Sequence, residues 1–239
     1  RSRVEQKAAH DYVSYVDKAS EKRIVERLHE LLPEAGFIAE EGSGSLEEQE
    51  YCWVVDPLDG TSNYIHDCTP YCVSIALRNR EEILLGVVYE CGREELFWAH
   101  KNSRAYLNGK EICVSDQSVL DQSFIMPELP YKAERYSPFI LPLMRDLYGY
   151  VSGIRMLGSA AAELCYVAAG RFEIFIEAFL GPWDIAAGYI ILKQAGGRMT
   201  DFSGNSNGPD AKEVLASNGK VHEELLKVLQ RHKKLLKHE

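Results

Sequence analysis

Residues 51–65 read Tyr-Cys-Trp-Val-Val-Asp-Pro-Leu-Asp-Gly-Thr-Ser-Asn-Tyr-Ile. The run Trp53-Val54-Val55 has the composition of a buried strand, and Asp56, Pro57, Asp59 and Gly60 end it in a polar turn. Asp-Pro and Asp-Gly are also ordinary turn formers, and each alone is explained by local backbone hydrogen bonding and the positive φ that glycine permits. Two carboxylates three residues apart at the end of a buried strand are different, because they repel each other and are costly to desolvate. A divalent cation relieves both penalties, so the stretch calls for further acidic ligands elsewhere in the chain.

With 239 residues, 46% of them hydrophobic and 26% charged, the chain is long enough for a full core, as one large α/β domain or two closely joined halves. The net charge of −9 excludes a general surface for nucleic-acid polymers or anionic membranes. An anionic substrate would then need the field inverted locally, which metal ions do. The six cysteines are scattered beside apolar residues and are expected to be reduced core cysteines of a cytoplasmic protein. Cys68 and Cys72 lack a second Cys/His pair at zinc-ligand spacing. Neither a membrane span nor a signal peptide is recognisable.

From Asp17 to Leu32, the apolar positions Ile24, Val25, Leu28, Leu31 and Leu32 recur at helical spacing until Pro33, with Asp17 as a terminal cap. Gly36–Ala39 is a short strand ending in Glu40-Glu41, followed by an acidic loop over 43–50 that is expected to be mobile. Val73–Leu77, Leu84–Tyr89 and Glu95–Ala99 read as an antiparallel meander, with an Asn108-Gly109 hairpin before Ile112–Val114. A helix is expected around Phe139–Tyr148, then a strand over Tyr150–Met156. Gly158-Ser159 opens a helix through Ala169, whose exposed amides are a candidate phosphate site, although Ser is equally a helix cap. Phe172–Ile176 is a strand ending at Glu177, and Asp184 begins a helix from Ile185 to Ala195. Short strands at Arg198–Thr200 and Glu213–Ala216 precede a last amphipathic helix from about Val221, which ends in a basic cluster.

Glu40-Glu41, then Asp56-Pro57-Leu58-Asp59-Gly60-Thr61 with Asn63, and finally Trp183-Asp184-Ile185-Ala186-Ala187-Gly188 with Ala195-Gly196-Gly197 resemble the inositol monophosphatase family in order and spacing. The resemblance implies an α+β fold, a layered α-β-α-β-α sandwich forming a single domain over 1–239. Its N-terminal α+β half would cover about 1–122 and its C-terminal α/β half about 123–239. It implies two Mg²⁺ ions, or three, in each subunit of a homodimer acting on a small-molecule phosphate ester. Glu40, Asp56 and the Leu58 carbonyl match ligands of one ion, and Asp56, Asp59 and Asp184 those of a second. Thr61 matches the residue that orients the attacking water, Asp17 the one that polarises its hydroxyl, and Glu40 stands beside them as a proton acceptor. Gly60, Thr61, Gly158, Ser159 and Ala160 match positions around the substrate, and Glu177, with Asp184, those that meet its hydroxyls.

The chemistry agrees with that reading. Hydrolysis of a phosphate monoester develops negative charge on the water, the phosphoryl oxygens and the leaving alkoxide, and hard cations on oxygen ligands counter it. Lys193-Gln194, where the family usually has a glutamate beside the alanine, and Tyr64, in place of a phenylalanine, depart from the pattern as packing variation. Met126–Ser137 and Ala178–Pro182 lie where members differ, so substrate choice is expected to be set there. The expected substrate is an inositol or related sugar-alcohol monophosphate. The alternatives are a nucleotide 3′-phosphatase, a fructose-1,6-bisphosphatase, a histidinol-phosphate phosphatase or, from another class, a non-catalytic metal-binding regulator.

Overall fold

The structure is a computed structural model that describes residues 4–8, 11–44, 49–130, 132–206 and 208–233. Part of the expected acidic loop, residues 45–48, and most of the basic C-terminal cluster, residues 234–239, lie outside the described residues. In chain order the elements are β1 (Val4–Ala8), β2 (Asp11–Ser14), α1 (Tyr15–Leu31), β3 (Gly36–Ala39), β4 (Tyr51–Asp59), α2 (Thr61–Ile65), β5 (Cys72–Asn79), β6 (Ile83–Glu90), β7 (Glu95–His100), β8 (Ala105–Leu107) and β9 (Lys110–Ile112). There follow β10 (Phe124–Pro127), α3 (Ala133–Leu147), β11 (Gly153–Ile154), α4 (Ala160–Ala168), β12 (Ile174–Ala178), α5 (Pro182–Gln194), β13 (Arg198–Thr200), β14 (Glu213–Ser217) and α6 (His222–Lys233).

Seven strands form one sheet in the order β3-β4-β5-β6-β7-β8-β9, and five form a second in the order β11-β10-β12-β14-β13. Helices α4 and α5 lie between them, because both are apolar nearly all round and need protein on every side. Their side chains, from Ala160 to Leu192, share one core with Val54, Val88 and Phe97 of the larger sheet and with Phe175, Val214 and Ala216 of the smaller. Leu28 of α1 covers the outer face of the seven-stranded sheet with Phe37, Trp53 and Val55. Phe139 and Leu143 of α3 and Leu225 and Leu229 of α6 cover the outer face of the five-stranded sheet. The order of layers is therefore α-β-α-β-α, as the resemblance implies.

Several elements differ from the sequence-based expectation. Asp17 lies inside the first turn of α1 rather than before it, because Ser14 takes the N-cap position. Helix α3 starts at Ala133 and holds Pro138 and Pro142, since burial of Tyr136, Phe139, Ile140, Leu143 and Leu147 outweighs the proline penalty. The expected strand over Tyr150–Met156 shrinks to Gly153–Ile154, an edge pairing only with Phe124 and Ile125. Strand β12 runs on to Ala178, so Glu177 is a strand residue paired with Val214. Only Cys52, Cys72 and Cys165 are core cysteines; Cys68 and Cys113 are exposed and Cys91 is half-buried.

Candidate metal centre

In a regular strand, residues three apart point to opposite faces. Asp56 pairs with Ser74 and Asp59 with Cys72, so β4 uses three steps where β5 uses two. This irregularity is a bulge, which turns both carboxylates toward one side. Asp184, in the first turn of α5, meets them there: oxygens of Asp56, Asp59 and Asp184 lie within 4.8 Å of one another. Glu40 arrives from the end of β3, its N–H donating to the Val55 carbonyl at 3.2 Å and its carboxyl hydrogen-bonding Asp56.

Burial, followed by repulsion from Glu40, Asp59 and Asp184, raises the Asp56 carboxyl well above the usual range. Burial likewise raises Asp59, and burial together with Asp59 raises Asp184 well above its ordinary value. These acids line a cleft of about 510 Å³ whose described residues include no Lys, Arg or His. An all-oxygen donor set, mutually repelling and without a protein cation, fits a hard divalent cation. Asp56, Asp59 and Asp184 are grouped closely enough to share one, and Glu40 and Leu58 line the same cleft, where the Leu58 carbonyl accepts from the Thr61 hydroxyl at 3.0 Å.

Thr61 opens α2 immediately after Gly60, whose φ of +86° suits glycine. A Cβ at Gly60 would lie 3.0 Å from the Pro70 carbonyl oxygen and 3.3 Å from that of Gly158. The Thr61 hydroxyl donates to Asp17 Oδ1 at 2.9 Å. Asp17 is fully buried, and its Oδ2 accepts from the Ser14 N–H at 2.9 Å and the Ser14 hydroxyl at 2.5 Å. Asn63 donates to the carbonyls of Pro70 at 2.7 Å and Leu157 at 2.6 Å, tying α2 to the loop before α4.

Gly158, Ala160 and Glu177 line the same cleft, but Ser159 and the amides around it have other partners. Ser159 is buried; its hydroxyl donates to Asp59 Oδ2 at 2.7 Å, the Ala161 N–H to the same oxygen at 2.8 Å, and the Cys72 thiol at 3.5 Å. The Ser159 N–H donates to Glu163 at 3.3 Å and the Gly158 N–H to Glu128 at 3.4 Å. The expected phosphate amides at the start of α4 thus serve carboxylates, because the acids reach them from inside the protein. Sequence reasoning missed Glu128 and Glu163. The available signal was Glu163 itself, the only charged residue in the otherwise apolar helix Ala160–Ala168.

Two large sheets with helices between and outside them, and a cluster of carboxylates at the end of β4, are the features of a metal-dependent phosphatase. The model of the inositol monophosphatase family matches residues 1–234, and the chain belongs to that family of phosphoric monoester hydrolases. It is 39% identical over 223 residues to Nus factor SuhB of Escherichia coli strain K12, covering 92% of this chain and 83% of the relative. It is 37% identical over 232 residues to a fructose-1,6-bisphosphatase/inositol-1-monophosphatase of Aquifex aeolicus, covering 97% and 87%. An inositol monophosphatase structure from Thermotoga maritima superposes with a TM-score of 0.90 at 33% identity, covering 98% of this chain and 90% of that one. A structure of an inositol monophosphatase/NADP phosphatase complexed with Mg²⁺ and phosphate gives 0.84 at 27% identity, covering 94% and 85%.

Proposed function

We propose that this chain hydrolyses inositol monophosphate or a related sugar-alcohol monophosphate with Mg²⁺ held by Glu40, Asp56, Leu58, Asp59 and Asp184. The observation that carries the reading is the convergence of three aspartates within 4.8 Å beside the Thr61–Asp17 hydrogen bond. Bound Mg²⁺ supplies the positive charge that acidifies water and offsets charge on the phosphoryl and leaving oxygens. The chain's own residues place the reactants. Donation of the Thr61 proton to Asp17 leaves a lone pair on Oγ1 to accept a hydrogen bond from the attacking water. Glu40, next to Asp56, is the further acceptor for that proton. Gly60, having no side chain, lets the phosphate approach the Gly60-Thr61 backbone closely. Glu177, in the cleft wall beside Gly158 and Ala160, accepts hydrogen bonds from substrate hydroxyls.

The Cys72 thiol contacts Asp59 at 3.5 Å. Burial and the neighbouring Asp59 hold it well above the usual thiol range, so it remains an un-ionised donor to Asp59 rather than a nucleophile. The halves 1–122 and 123–239 act as one unit in this reading, supported by the core they share around α4 and α5. The working form is taken to be a cytoplasmic homodimer, on the strength of the resemblance and the reduced cysteines.

The test is phosphate release from a panel of inositol, sugar, nucleotide and histidinol phosphates, with Mg²⁺ and with chelator. Mg²⁺-dependent turnover of polyol monophosphates, lost in Asp59→Asn, is the expected result. No release from any ester, or full rate in Asp59→Asn, overturns it.

A further inference from the structure

Glu21 is a buried acid of α1 that neither lines the cleft nor takes part in the hydrolysis. It lies one turn after Asp17, and residues four apart on a helix share a face. Its Oε2 accepts the Glu41 N–H at 2.7 Å and its Oε1 the Ser43 N–H at 2.9 Å. Those donors stand 20 and 22 positions further along the chain, in the turn that follows Glu40. Asp17 reaches Thr61 from the same face. One side of α1 therefore grips two separate segments of the cleft.

Gly42, Ser43 and Gly44 are exposed, so side-chain packing does not hold this turn. Its backbone bonds are longer than those to Glu21: 3.2 Å from the Glu40 N–H to the Val55 carbonyl, and 3.4 Å from the Gly42 N–H to the Ala39 carbonyl. At Gly44 the chain doubles back so closely on β3 that a Cβ would lie 2.9 Å from the Phe37 carbonyl oxygen. Burying a carboxylate is costly, and charge-assisted hydrogen bonds from two N–H groups offset that cost. A glutamine would accept at one oxygen only and set its NH2 against the second N–H. The turn thus needs both oxygens of an ionised side chain.

We propose that Glu21 is a positioning residue that sets Glu40 against Asp56, and that the affinity of the cleft for Mg²⁺ depends on it through Glu40. The proposal rests on the metal-dependent reading and deepens it. The Glu40 N–H is held by Val55 and the next N–H by Glu21, which fixes the peptide planes on both sides of Glu40. Its carboxyl then reaches Asp56 by side-chain torsions alone. Without Glu21 the backbone beyond Glu40 is free to swing, and the carboxyl must be ordered when the cation binds.

The test is calorimetric titration of the full chain with Mg²⁺, run beside ester kinetics. Glu21→Gln should weaken Mg²⁺ binding by about 10–100-fold, the usual effect of losing a group that orients a metal ligand. The Mg²⁺ concentration for half-maximal rate should rise with it, while KM for the ester at saturating Mg²⁺ stays unchanged. Glu173→Gln is the control: Glu173 is also buried and accepts the Phe124 N–H at 2.6 Å and the Ser115 hydroxyl at 2.7 Å, but it lies before β12 and outside the cleft lining. It should lower the melting temperature and leave Mg²⁺ affinity as in the wild type. Should Glu21→Gln not fold, Glu21→Asp, whose oxygens fall short by one methylene, carries the same expectation. Unchanged Mg²⁺ affinity in the Glu21 variant, or an equal loss in Glu173→Gln, overturns the positioning role. A wild type that binds no Mg²⁺ overturns the metal reading and the role together. Weaker Mg²⁺ binding in the Glu21 variant, with no ester hydrolysed by the wild type, supports the role and overturns only the phosphatase reading.

Discussion

The Thr61 hydroxyl donates to Asp17 Oδ1 at 2.9 Å across 44 positions of sequence, and the other oxygen of the same carboxylate closes the capping box of α1 with Ser14. One buried side chain thus joins the start of the first long helix to the start of α2. Asp17→Asn keeps an oxygen for one of these contacts but loses the charge that draws on the Thr61 proton. The expected outcome is a fall in kcat of about 10²–10⁴-fold, as for loss of a general base, with a stability cost of about 1–2 kcal/mol from the weakened cap. Steady-state kinetics and thermal melting measure the two effects on one sample. Thr61→Ala should match the first while leaving the Ser14 cap intact, its own stability cost coming from the buried Asp17 Oδ1 that it leaves without a donor.

Asp56, Asp59 and Asp184 repel one another in the absence of metal. Asp56→Asn is therefore expected to stabilise the chelator-treated protein, by about 1–2 kcal/mol, while abolishing the rise in melting temperature that Mg²⁺ gives the wild type. Melting curves with EDTA and with Mg²⁺ check both halves. A variant less stable in EDTA would mean that the carboxylate is satisfied by the fold rather than by a cation.

His222 is buried between the Thr200 hydroxyl at 3.0 Å and the Ser217 hydroxyl at 2.8 Å, and burial pushes its pKa down to about 4. The unfolded chain binds a proton near pH 6.5 that the folded chain refuses until about pH 4. This contribution to stability is therefore full above about pH 6.5 and is lost as pH falls toward 4, by about 3 kcal/mol at most. Urea midpoints of wild type and His222→Gln from pH 8 to 4.5 read it as a difference, which should shrink on acidification.

At Gly86 on β6 the large sheet packs directly against α5: a Cβ there would lie 2.6 Å from the Ala187 carbonyl oxygen and 2.8 Å from the Ala187 Cα. Both are backbone atoms and cannot rotate away. Gly86→Ala is expected to destabilise by about 1–3 kcal/mol through forced separation of the layers. Because α5 carries Asp184, the Mg²⁺ concentration for half-maximal rate should rise as well. Denaturant titration and Mg²⁺-dependent kinetics test the two claims.

Much of the fold was legible because its elements obey local rules. The apolar run before Asp56, the helical spacing from Ile24 to Leu31 and the turn at Asn108-Gly109 state their structure within a few residues. Elements held by distant partners were not legible. Phe124–Pro127 is a strand because Ile125 lies between Ile154 and Ile174, and α3 passes through Pro138 because the outer face of the smaller sheet needs covering.

By itself the sequence determined the supply of acids, the family, and the places where strand or helix gives way to a carboxylate, since strand endings and short motifs are local properties. Only the tertiary structure decided how those acids are used. A bulge in β4 turned Asp56 and Asp59 to one side, and Asp17 came to serve Ser14 and Thr61 at once. The amides at the start of α4 went to Asp59, Glu128 and Glu163. The physical reason is that a buried N–H or carboxylate must find a partner, and which one lies within hydrogen-bonding reach depends on how the layers stack rather than on neighbours in the chain.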